Sequence, residues 1–325
     1  MSPLLFMTGA TGYIGGQFLE NIVSKHPDYN VTCLVRTSSQ AEQLTAKHPS
    51  LHFVTGDLDS TSVLTEQSKL ADVVIQTADC DHAGSIKAIF QGLSDPTRSK
   101  QGTFIQISGA ASALDVSNGY GQASTKVWDD IKDIHEITHF PQTIFHAVTD
   151  QLVLSEGKKL GVKTAILEPS IVYGKSDGIK KFSMGLPWMV DAFQKRGKAF
   201  IIGEGKTLFT AIHVKDLADV LVLMTEAAVA EGGKMDWREE GVYYVEGGEY
   251  KFRDIVERIV MEMRKRGTIP GLEIEEITAE QATEIHPWGP IMWGSKMRTR
   301  ASRLRGFGWE AKQASVVDAV PELFD

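Results

Sequence analysis

A glycine-rich segment near the N-terminus constrains the fold more than any other feature. Residues Thr8–Gly15 read TGATGYIG; they follow a short apolar run and open a segment with helical apolar spacing, Gln17–His26. This spacing permits a tight turn, close approach of backbone to a pyrophosphate and close helix–strand contact. Unpaired N–H groups at the helix start then bind the anion. The pattern predicts a dinucleotide site made by Gly9, Thr11, Gly12, Tyr13, Ile14 and Gly15.

Short apolar runs alternate with helical patterns through the first half of the chain. The runs are rich in β-branched residues and do not alternate between apolar and polar, which indicates strands buried on both faces of a parallel sheet. Helical patterns between them imply right-handed βαβ units. We predict an α/β fold, a Rossmann-type doubly wound parallel sheet with a smaller C-terminal substrate lobe. The predicted strands are Leu4–Gly9, Val31–Arg36, His52–Asp57, Asp72–Ala78, Thr103–Gly109 and Val162–Pro169.

The length of 325 residues and a hydrophobic content of 42% allow one large core or two unequal lobes. We predict a dinucleotide-binding core over residues 1–174, with a polar insertion at 110–141. Residues 175–325 are predicted to form mainly the substrate lobe, with about 207–246 returning to the core. In the returning part, Asp216–Ala230 is predicted as a helix with Asp216 as its N-cap.

Charge and composition limit the kinds of partner that this chain is expected to bind. The net charge of −8 argues against a nucleic-acid binder, which needs a basic face. No apolar run approaches the roughly 18–20 residues of a membrane span. The two cysteines, Cys33 and Cys80, are predicted to be reduced packing residues. We therefore expect a cytoplasmic protein, monomeric or homodimeric, with a small-molecule substrate and no nucleic-acid or membrane partner.

The end of the second predicted strand indicates which dinucleotide is bound. A site for NAD usually has an acid about 20 residues after the glycines, which bonds the ribose hydroxyls. This chain has Arg36 there, in the sequence LVRTSS, and no acid before Glu42. A guanidinium offers paired donors to a 2′-phosphate. The sequence therefore predicts NADP(H).

These motifs, and others along essentially the whole chain, resemble the extended and atypical short-chain dehydrogenase/reductase superfamily. That superfamily includes epimerase/dehydratase-like and nitrogen-metabolite-regulator-like branches. The matching segments include GDL at 56–58, VVIQTA at 73–78, ISG at 107–109, EPSIVYG at 168–174 and HVKDLA at 213–218. The resemblance implies that His213 is a structural corner residue and Ser108 a catalytic serine. It also implies that the cofactor contacts Asp57, Leu58, Thr77, Ala78, Pro169, Ser170 and Ile171.

The chain departs from the superfamily at the reaction centre. The family's proton donor is a Tyr followed four residues later by a Lys, at the start of the helix before the sixth strand. In the predicted helix Gln142–Leu160, the matching positions are His146 and Asp150, which share a helix face. Tyr120 follows Ser108 by twelve residues but has no Lys four residues later, so it is a reserve candidate.

Three interpretations of this substitution stay open. An imidazole titrates near pH 6.5, and a neighbouring carboxylate favours its charged form. His146 beside Asp150 is thus predicted to be a general acid in the reduction of a carbonyl or conjugated double bond. Alternatively, the chain catalyses a non-redox isomerisation, dehydration or cyclisation. In the third interpretation, catalysis is lost and the chain is an NADP(H)-binding regulatory protein.

Two further signals bear on metals and substrate. The segment 135–139 matches the H-E-x-x-H zinc pattern, but Pro141 would end any helix just after it, so no metal site is predicted. The substrate pocket is expected from Ala110–Pro141, Lys175–Arg196 and Thr278–Trp293. Aromatic residues of the C-terminal half favour an apolar or aromatic substrate, with one or two of them lining the pocket. They are Trp188, Phe193, Trp288 and Trp293.

Overall fold

The computed structural model describes residues 2–230 and 233–324. The strands in these residues are β1 (Leu4–Thr8), β2 (Asn30–Val35), β3 (His52–Thr55), β4 (Val73–Gln76), β5 (Thr103–Ile107), β6 (Trp128–Asp129), β7 (Lys163–Pro169), β8 (Ile171–Tyr173), β9 (Ala199–Ile202), β10 (Leu208–His213), β11 (Val242–Val245), β12 (Gly248–Lys251), β13 (Ile274–Ile277) and β14 (Thr299–Arg300). The helices are α1 (Tyr13–Lys25), α2 (Ser38–Lys47), α3 (Thr61–Leu70), α4 (Ala83–Leu93), α5 (Ile134–Thr138), α6 (Ala147–Leu160), α7 (Gly185–Arg196), α8 (Val214–Val229), α9 (Phe252–Lys265), α10 (Ala279–Ile285), α11 (Gly289–Gly294) and α12 (Ser302–Gly306).

Seven parallel strands form the central sheet, in the order β11-β7-β5-β4-β1-β2-β3. The side chains of β4 and β5 are buried throughout, as their continuous apolarity predicts. On one face, Met7 and Ile75 pack in a cluster with side chains of α1 and α8. On the other face, Phe6 and Phe104 pack with side chains of α3, α4 and α6. The predicted doubly wound α/β fold is confirmed.

The order of the strands reverses between β1 and β4. The chain runs outward from β1 to β2 and β3, then returns to pair β4 on the other side of β1. In sheets of this kind the loops at the carboxyl ends of the two central strands diverge and leave a crevice for a ligand. The glycine turn follows β1 and residues 77–81 follow β4, so both segments border this crevice.

The C-terminal half contributes smaller sheets and one strand of the central sheet. Three small sheets have the orders β12-β10-β8, β13-β9 and β14-β6. Of the segment predicted to return to the core, β10 pairs with β8 outside the central sheet, α8 packs against α1, and β11 forms the edge of the central sheet. The division of domains at residue 174 stays a prediction. No helix in the described parts of the chain has the length and apolarity to cross a bilayer.

Two predicted helix starts are wrong. Helix α6 begins at Ala147 instead of Gln142, because residues 141–147 form turns and His146 has a left-handed φ of 66°. Helix α8 begins at Val214, and its N-cap is His213, whose Nδ1 accepts from the Lys215 N–H at 3.1 Å. Asp216 is therefore not the cap. Its carboxylate instead accepts from the backbone N–H groups of Lys312 and Gln313.

The βαβ alternation predicts crossovers after β2 and β3, but no bounds were predicted for helices α2 and α3. Each has ten residues and buries few side chains: Leu44 in α2, and Leu64 and Ser68 in α3. A helix with so narrow a buried stripe shows little apolar periodicity, which is the main local signal for a helix. The parallel pairing of β1, β2 and β3 requires crossover connections, and these helices provide them.

Candidate active site

The glycine turn between β1 and α1 has no room for side chains. Gly9 has a φ of 80°, and a Cβ added to it would lie 2.6 Å from Thr77 Oγ1. A Cβ on Gly15 would lie 2.2 Å from that same atom and 2.3 Å from the Gly9 carbonyl oxygen. Gly12 is the N-cap of α1 and makes no side-chain capping bond. The first N–H groups of α1 are consequently free to bind an anion.

Tyr13 and Ile14 follow the turn, and their side chains face the protein interior. Tyr13 is buried and its hydroxyl donates to the carbonyl oxygen of Gly174 at 2.6 Å, while burial raises the pKa of the phenol. Ile14 packs on the apolar cluster formed with α1 and α8. Their contribution to an anion site at this turn is therefore limited to backbone N–H groups.

Arg36 and Asp57 lie at the carboxyl ends of β2 and β3. Arg36 is exposed, and among the described residues its guanidinium forms no ion pair or hydrogen bond. Asp57 is also exposed, and its pKa is lowered by the hydrogen bond from Ser60 Oγ at 2.9 Å. The next residue, Leu58, is partly buried against the core. Both charged groups are accessible to a ligand at this edge of the sheet.

The ends of β4 and β7 are held in place by hydroxyl groups. Thr77 Oγ1 donates to the Thr8 carbonyl oxygen at 2.7 Å, which ties β4 to β1, and Ala78 beyond it is exposed. Ser170 Oγ lies 3.0 Å from Thr210 Oγ1 and 3.0 Å from Thr299 Oγ1. The predicted cofactor segment at 169–171 is thereby fixed to β10 and β14.

Ser108, at the end of β5, is bonded to Asp150 in the first turn of α6. Its Oγ lies 2.8 Å from Asp150 Oδ2, and Gln106 Nε2 donates to the other carboxylate oxygen at 3.3 Å. Burial raises the pKa of Asp150 to about 6, although the Ser108 hydrogen bond and the charge of His146 act in the opposite direction. The sequence placed Ser108 and Asp150 in one site, and the structure brings them into contact.

His146 forms its side-chain hydrogen bonds with Asp81 instead of Asp150, although its charge still acts on the Asp150 carboxyl group. The two Asp81 oxygens lie 2.9 and 3.0 Å from His146 Nδ1. Asp150 contributes its backbone N–H to the His146 carbonyl oxygen, as expected for the first turn of a helix. The spacing of four residues brings side chains together only inside a helix. His146 is left-handed and lies outside α6, which turns its ring toward the end of β4.

The other ring nitrogen of His146 faces Gly109, where a Cβ would lie 3.2 Å from Nε2. Asp81 was missed by sequence reasoning. The available signal was its position just after β4, at the same edge of the sheet as Ser108. An Asp that accepts from Nδ1 fixes the tautomer and orientation of an imidazole and leaves Nε2 for chemistry.

Cys80 lies beside this pair, with Sγ 3.4 Å from His146 Nδ1. Burial and the charges of Asp81, Asp150 and Asp79 raise the pKa of its thiol to about 12, so the thiol stays protonated. Cys33 is buried within β2, whereas Cys80 is partly exposed and belongs to the candidate site. Ligand-type atoms of Cys80, Asp81 and His146 all lie within 4.8 Å of one another.

The H-E-x-x-H segment has a different structure from a zinc helix. Helix α5 has five residues, and His139 is its C-cap rather than a second helical ligand. The His135 and His139 rings are exposed and stack with their centroids 4.6 Å apart. His139 Nδ1 lies 2.8 Å from the His135 carbonyl oxygen, so that nitrogen is engaged locally.

A second buried carboxyl group lies behind the site. Glu168, at the end of β7, is bonded by Ser112 Oγ at 2.6 Å. Burial, and then the charge of Asp150, raise the pKa of Glu168 well above its usual value. Sequence reasoning did not identify it as a site residue. Burial and the neighbouring carboxylate thus both favour the neutral form of Glu168.

An apolar cavity of about 280 Å³ opens next to Gly109. None of its lining residues is charged. The sequence analysis predicted that residues 175–196 line the pocket, but none of them lines this cavity. Of the four aromatic residues predicted as candidates, Trp288 is the one in the lining. The lining consists of Gly109, Ala110, Ala111, Leu114, Phe145, Pro169, Ser170, Ile171, Phe209, Phe252, Trp288, Ile291, Met292, Ser295 and Met297.

The remaining candidates lie away from this cavity. Trp293 and Phe193 are core residues, each with an exposed fraction of at most 2%. Trp188 packs at a tilt against His286, with ring centroids 4.4 Å apart. Tyr120 lies beside the turn after β9, where its carbonyl oxygen faces Gly203. The structure therefore does not bring Tyr120 to the Ser108 and His146 cluster.

Comparison with known proteins identifies the family. The model of the NAD dependent epimerase/dehydratase family matches residues 5–237, well over half of the chain. The chain belongs to this family. This membership agrees with the Rossmann-type sheet and with the site at the carboxyl ends of β1, β4 and β5. It also agrees with the resemblance to short-chain dehydrogenases that the sequence motifs indicated.

The chain is similar to three proteins whose names give different activities. An oxidase of Acremonium sp, named ucsJ, is 31% identical over 95% of this chain and 93% of its own length. A 4-hydroxy-2-methyl-3-oxo-4-farnesyl-3,4-dihydroquinoline-1-oxide ketoreductase of Stigmatella aurantiaca is 23% identical over 73% of this chain and 68% of its own. The crystal structure of a dTDP-glucose 4,6-dehydratase of Bacillus anthracis, in complex with NAD, superposes with a TM-score of 0.70 at 17% identity, covering 99% of this chain and 96% of that one.

The site of this epimerase/dehydratase family member has the chemistry for a dinucleotide. Gly9 and Gly15 allow the N-terminus of α1 to pack directly against Thr77 and the Gly9 carbonyl group. The first N–H groups of α1 lie at this turn, which suits a pyrophosphate. Ser108 and His146 present a hydroxyl and an imidazole at the same edge of the sheet. Beside them the uncharged cavity suits an apolar molecule and offers no cation to a phosphate.

Proposed function

We propose that this chain is an NADP(H)-dependent reductase or dehydrogenase. Its substrate is a small uncharged apolar molecule with a carbonyl group or a conjugated double bond. The observation that carries the proposal is the apolar cavity bordered by Gly109, because a Cβ on that same glycine would lie 3.2 Å from His146 Nε2. A cavity without charged groups selects against the nucleotide sugars named for several structural relatives.

The residues that would hold the cofactor follow from the turn and the strand ends. The N–H groups of α1 would bind the pyrophosphate, and Arg36 would bind the 2′-phosphate. Asp57 and Leu58 would face the adenine, and Thr77 and Ala78 the adjoining part of the dinucleotide. Pro169, Ser170 and Ile171 would border the nicotinamide. When bound, the dinucleotide supplies or accepts a hydride.

Replacing Arg36 by Ala is expected to abolish a preference for NADPH over NADH of at least about tenfold, or about 1.4 kcal/mol. The Arg36 guanidinium is exposed and unpaired, so it can bind a 2′-phosphate without first breaking another interaction. The alanine variant lacks this group. Titration of tryptophan fluorescence with both nucleotides measures the preference. Arg264→Ala removes an exposed arginine of α9 and serves as the control. Equal affinities in the unmodified protein would contradict the assignment of NADP(H).

The proton chemistry is assigned to two groups. In the reduction of a carbonyl, the hydride goes to carbon and the oxygen takes one proton from His146 Nε2, with Asp81 holding the opposite nitrogen. Ser108 binds the same oxygen by hydrogen bonding. Ser108 is free to donate a hydrogen bond to the substrate only when Asp150 is neutral. Ionised Asp150 accepts the hydrogen bond of the Ser108 hydroxyl, with the two oxygens 2.8 Å apart.

The rate of reduction is therefore expected to depend on Asp150. Because the neutral form is required and the pKa of Asp150 is raised to about 6, kcat/KM for reduction should fall as pH rises through about 6. In Asp150→Asn the side chain always offers an N–H to Ser108, so the descending limb of log kcat/KM against pH should lose the slope of one proton. The buried Asp216, exchanged for Asn, is the control. An unchanged profile in Asp150→Asn would remove Asp150 from this role.

The function itself is tested by NADPH consumption with a panel of apolar ketones, aldehydes and enones, with product analysis by mass spectrometry. The reverse reaction is followed with the matching alcohols and NADP⁺. Consumption with formation of the reduced product supports the proposal. Conversion without net loss of NADPH would instead establish a non-redox isomerase, dehydratase or cyclase. Tight NADPH binding with no conversion across the panel would favour a regulatory binding protein.

A further inference from the structure

Two exposed aromatic side chains frame the mouth of the apolar cavity. Phe145 is 43% exposed and Trp288 is 50% exposed, whereas Phe209 and Phe252 in the same lining are buried. Large apolar side chains grouped in water mark surfaces that bind something. The cavity thus has a fixed aromatic floor and an aromatic entrance that nothing in the described chain covers fully.

The two entrance rings are close enough to contact each other directly. Their centroids lie 6.3 Å apart and their planes are inclined by 54°. A flat ring in contact with one ring on each face needs about 3.5 Å per contact, or about 7 Å in total. A third ring therefore enters only after rotation about the side-chain torsions has moved Phe145 and Trp288 apart and brought their planes toward parallel.

Both side chains lie where such a rotation leaves the core undisturbed. Phe145 lies in the turn before α6, and Trp288 is the N-cap of α11. The backbone N–H of Trp288 donates to His286 Nδ1 at 3.1 Å, which fixes the main chain but not the indole. Since each ring is about half exposed, each can turn about its side-chain torsions without opening a cavity in the protein.

We propose that Phe145 and Trp288 form an aromatic clamp that binds a planar ring of the substrate. This proposal rests on the proposed function and narrows its substrate class to uncharged ketones or enones attached to a flat ring system. Stacked and offset rings gain energy beyond their buried area. Phe145 is also the neighbour of His146, with ring centroids 6.3 Å apart, so a clamped ring lies close to the proton donor.

The experiment compares two ketones that share a carbon skeleton, 2-acetylnaphthalene and 2-acetyldecalin. Binding of each to the protein with NADP⁺ is measured by isothermal titration calorimetry. A merely apolar pocket would prefer the saturated skeleton, which has the greater apolar surface. The clamp should instead bind the naphthyl ketone at least tenfold more tightly. Trp288→Leu and Phe145→Leu keep an apolar side chain but should remove this preference, while Trp288→Phe should retain it.

The control variant is Trp309→Phe, which changes a tryptophan packed on the apolar cluster formed with α1 and α8, outside the cavity; it should leave the preference unchanged. Equal affinities for the two ketones, or a preference that survives both leucine variants, would overturn the clamp. The readouts separate this proposal from the reductase assignment. Naphthyl-selective binding without NADPH consumption would reject the reductase and keep the clamp. Reduction of both ketones with equal affinity would do the reverse.

Discussion

Turnover is expected to fall about 10²–10⁴-fold when His146 is replaced by Asn, while NADPH affinity stays nearly unchanged. The loss reflects removal of the transferable proton on Nε2, which faces Gly109 at the cavity. Asn is the preferred replacement because residue 146 has a φ of 66°, a conformation that Asn tolerates better than most residues. Single-turnover NADPH oxidation with the best ketone of the panel measures the effect.

Comparison with His146→Ala separates proton donation from backbone strain. Ala lacks the titratable group and also fits a left-handed position poorly, so Ala and Asn should lose activity alike if the proton matters. If Asn retains activity and only Ala loses it, the role of His146 is conformational. If both variants are fully active, His146 is not the proton donor.

The second large effect is expected for Gly15→Ala, which should both destabilise the protein and weaken NADPH binding at least tenfold. The new Cβ would lie 2.2 Å from Thr77 Oγ1 and 2.3 Å from the Gly9 carbonyl oxygen. One of these contacts is with backbone, so the start of α1 must move away from β1 and β4. Overpacking of this kind costs about 1–3 kcal/mol. Thermal unfolding and fluorescence titration with NADPH measure the two effects.

Gly306→Ala is the matched control, because a Cβ there meets no atom within 4 Å and the φ of Gly306 is not positive. It should leave both the unfolding temperature and NADPH affinity nearly unchanged. A Gly15→Ala protein with normal stability and normal affinity would show that the turn is looser than these distances imply. The pyrophosphate would then have to be placed elsewhere.

Features that depend on contiguous residues were determined by the sequence alone. Continuous apolarity predicted strands such as Thr103–Ile107, and the glycines at 9, 12 and 15 predicted the turn and the helix that follows. The parallel sheet follows from the alternation of these elements. The strands follow from apolar periodicity, and the turn follows from glycines at positions where a Cβ does not fit. Both signals lie in neighbouring residues, so the sequence alone is enough to predict these features.

Only the tertiary structure decided which groups meet at the reaction centre. Asp81 and His146 are separated by 65 residues in the sequence. Their contact depends on the left-handed conformation of His146, which no local sequence pattern predicts. The apolar lining likewise combines Phe145 with Phe252 and Trp288 from distant elements. Side-chain direction at a helix boundary depends on one backbone torsion, and long-range packing sets that torsion. The sequence therefore indicated His146 as the proposed donor, whereas its contact with Asp81 and the proposed clamp became visible only in the fold.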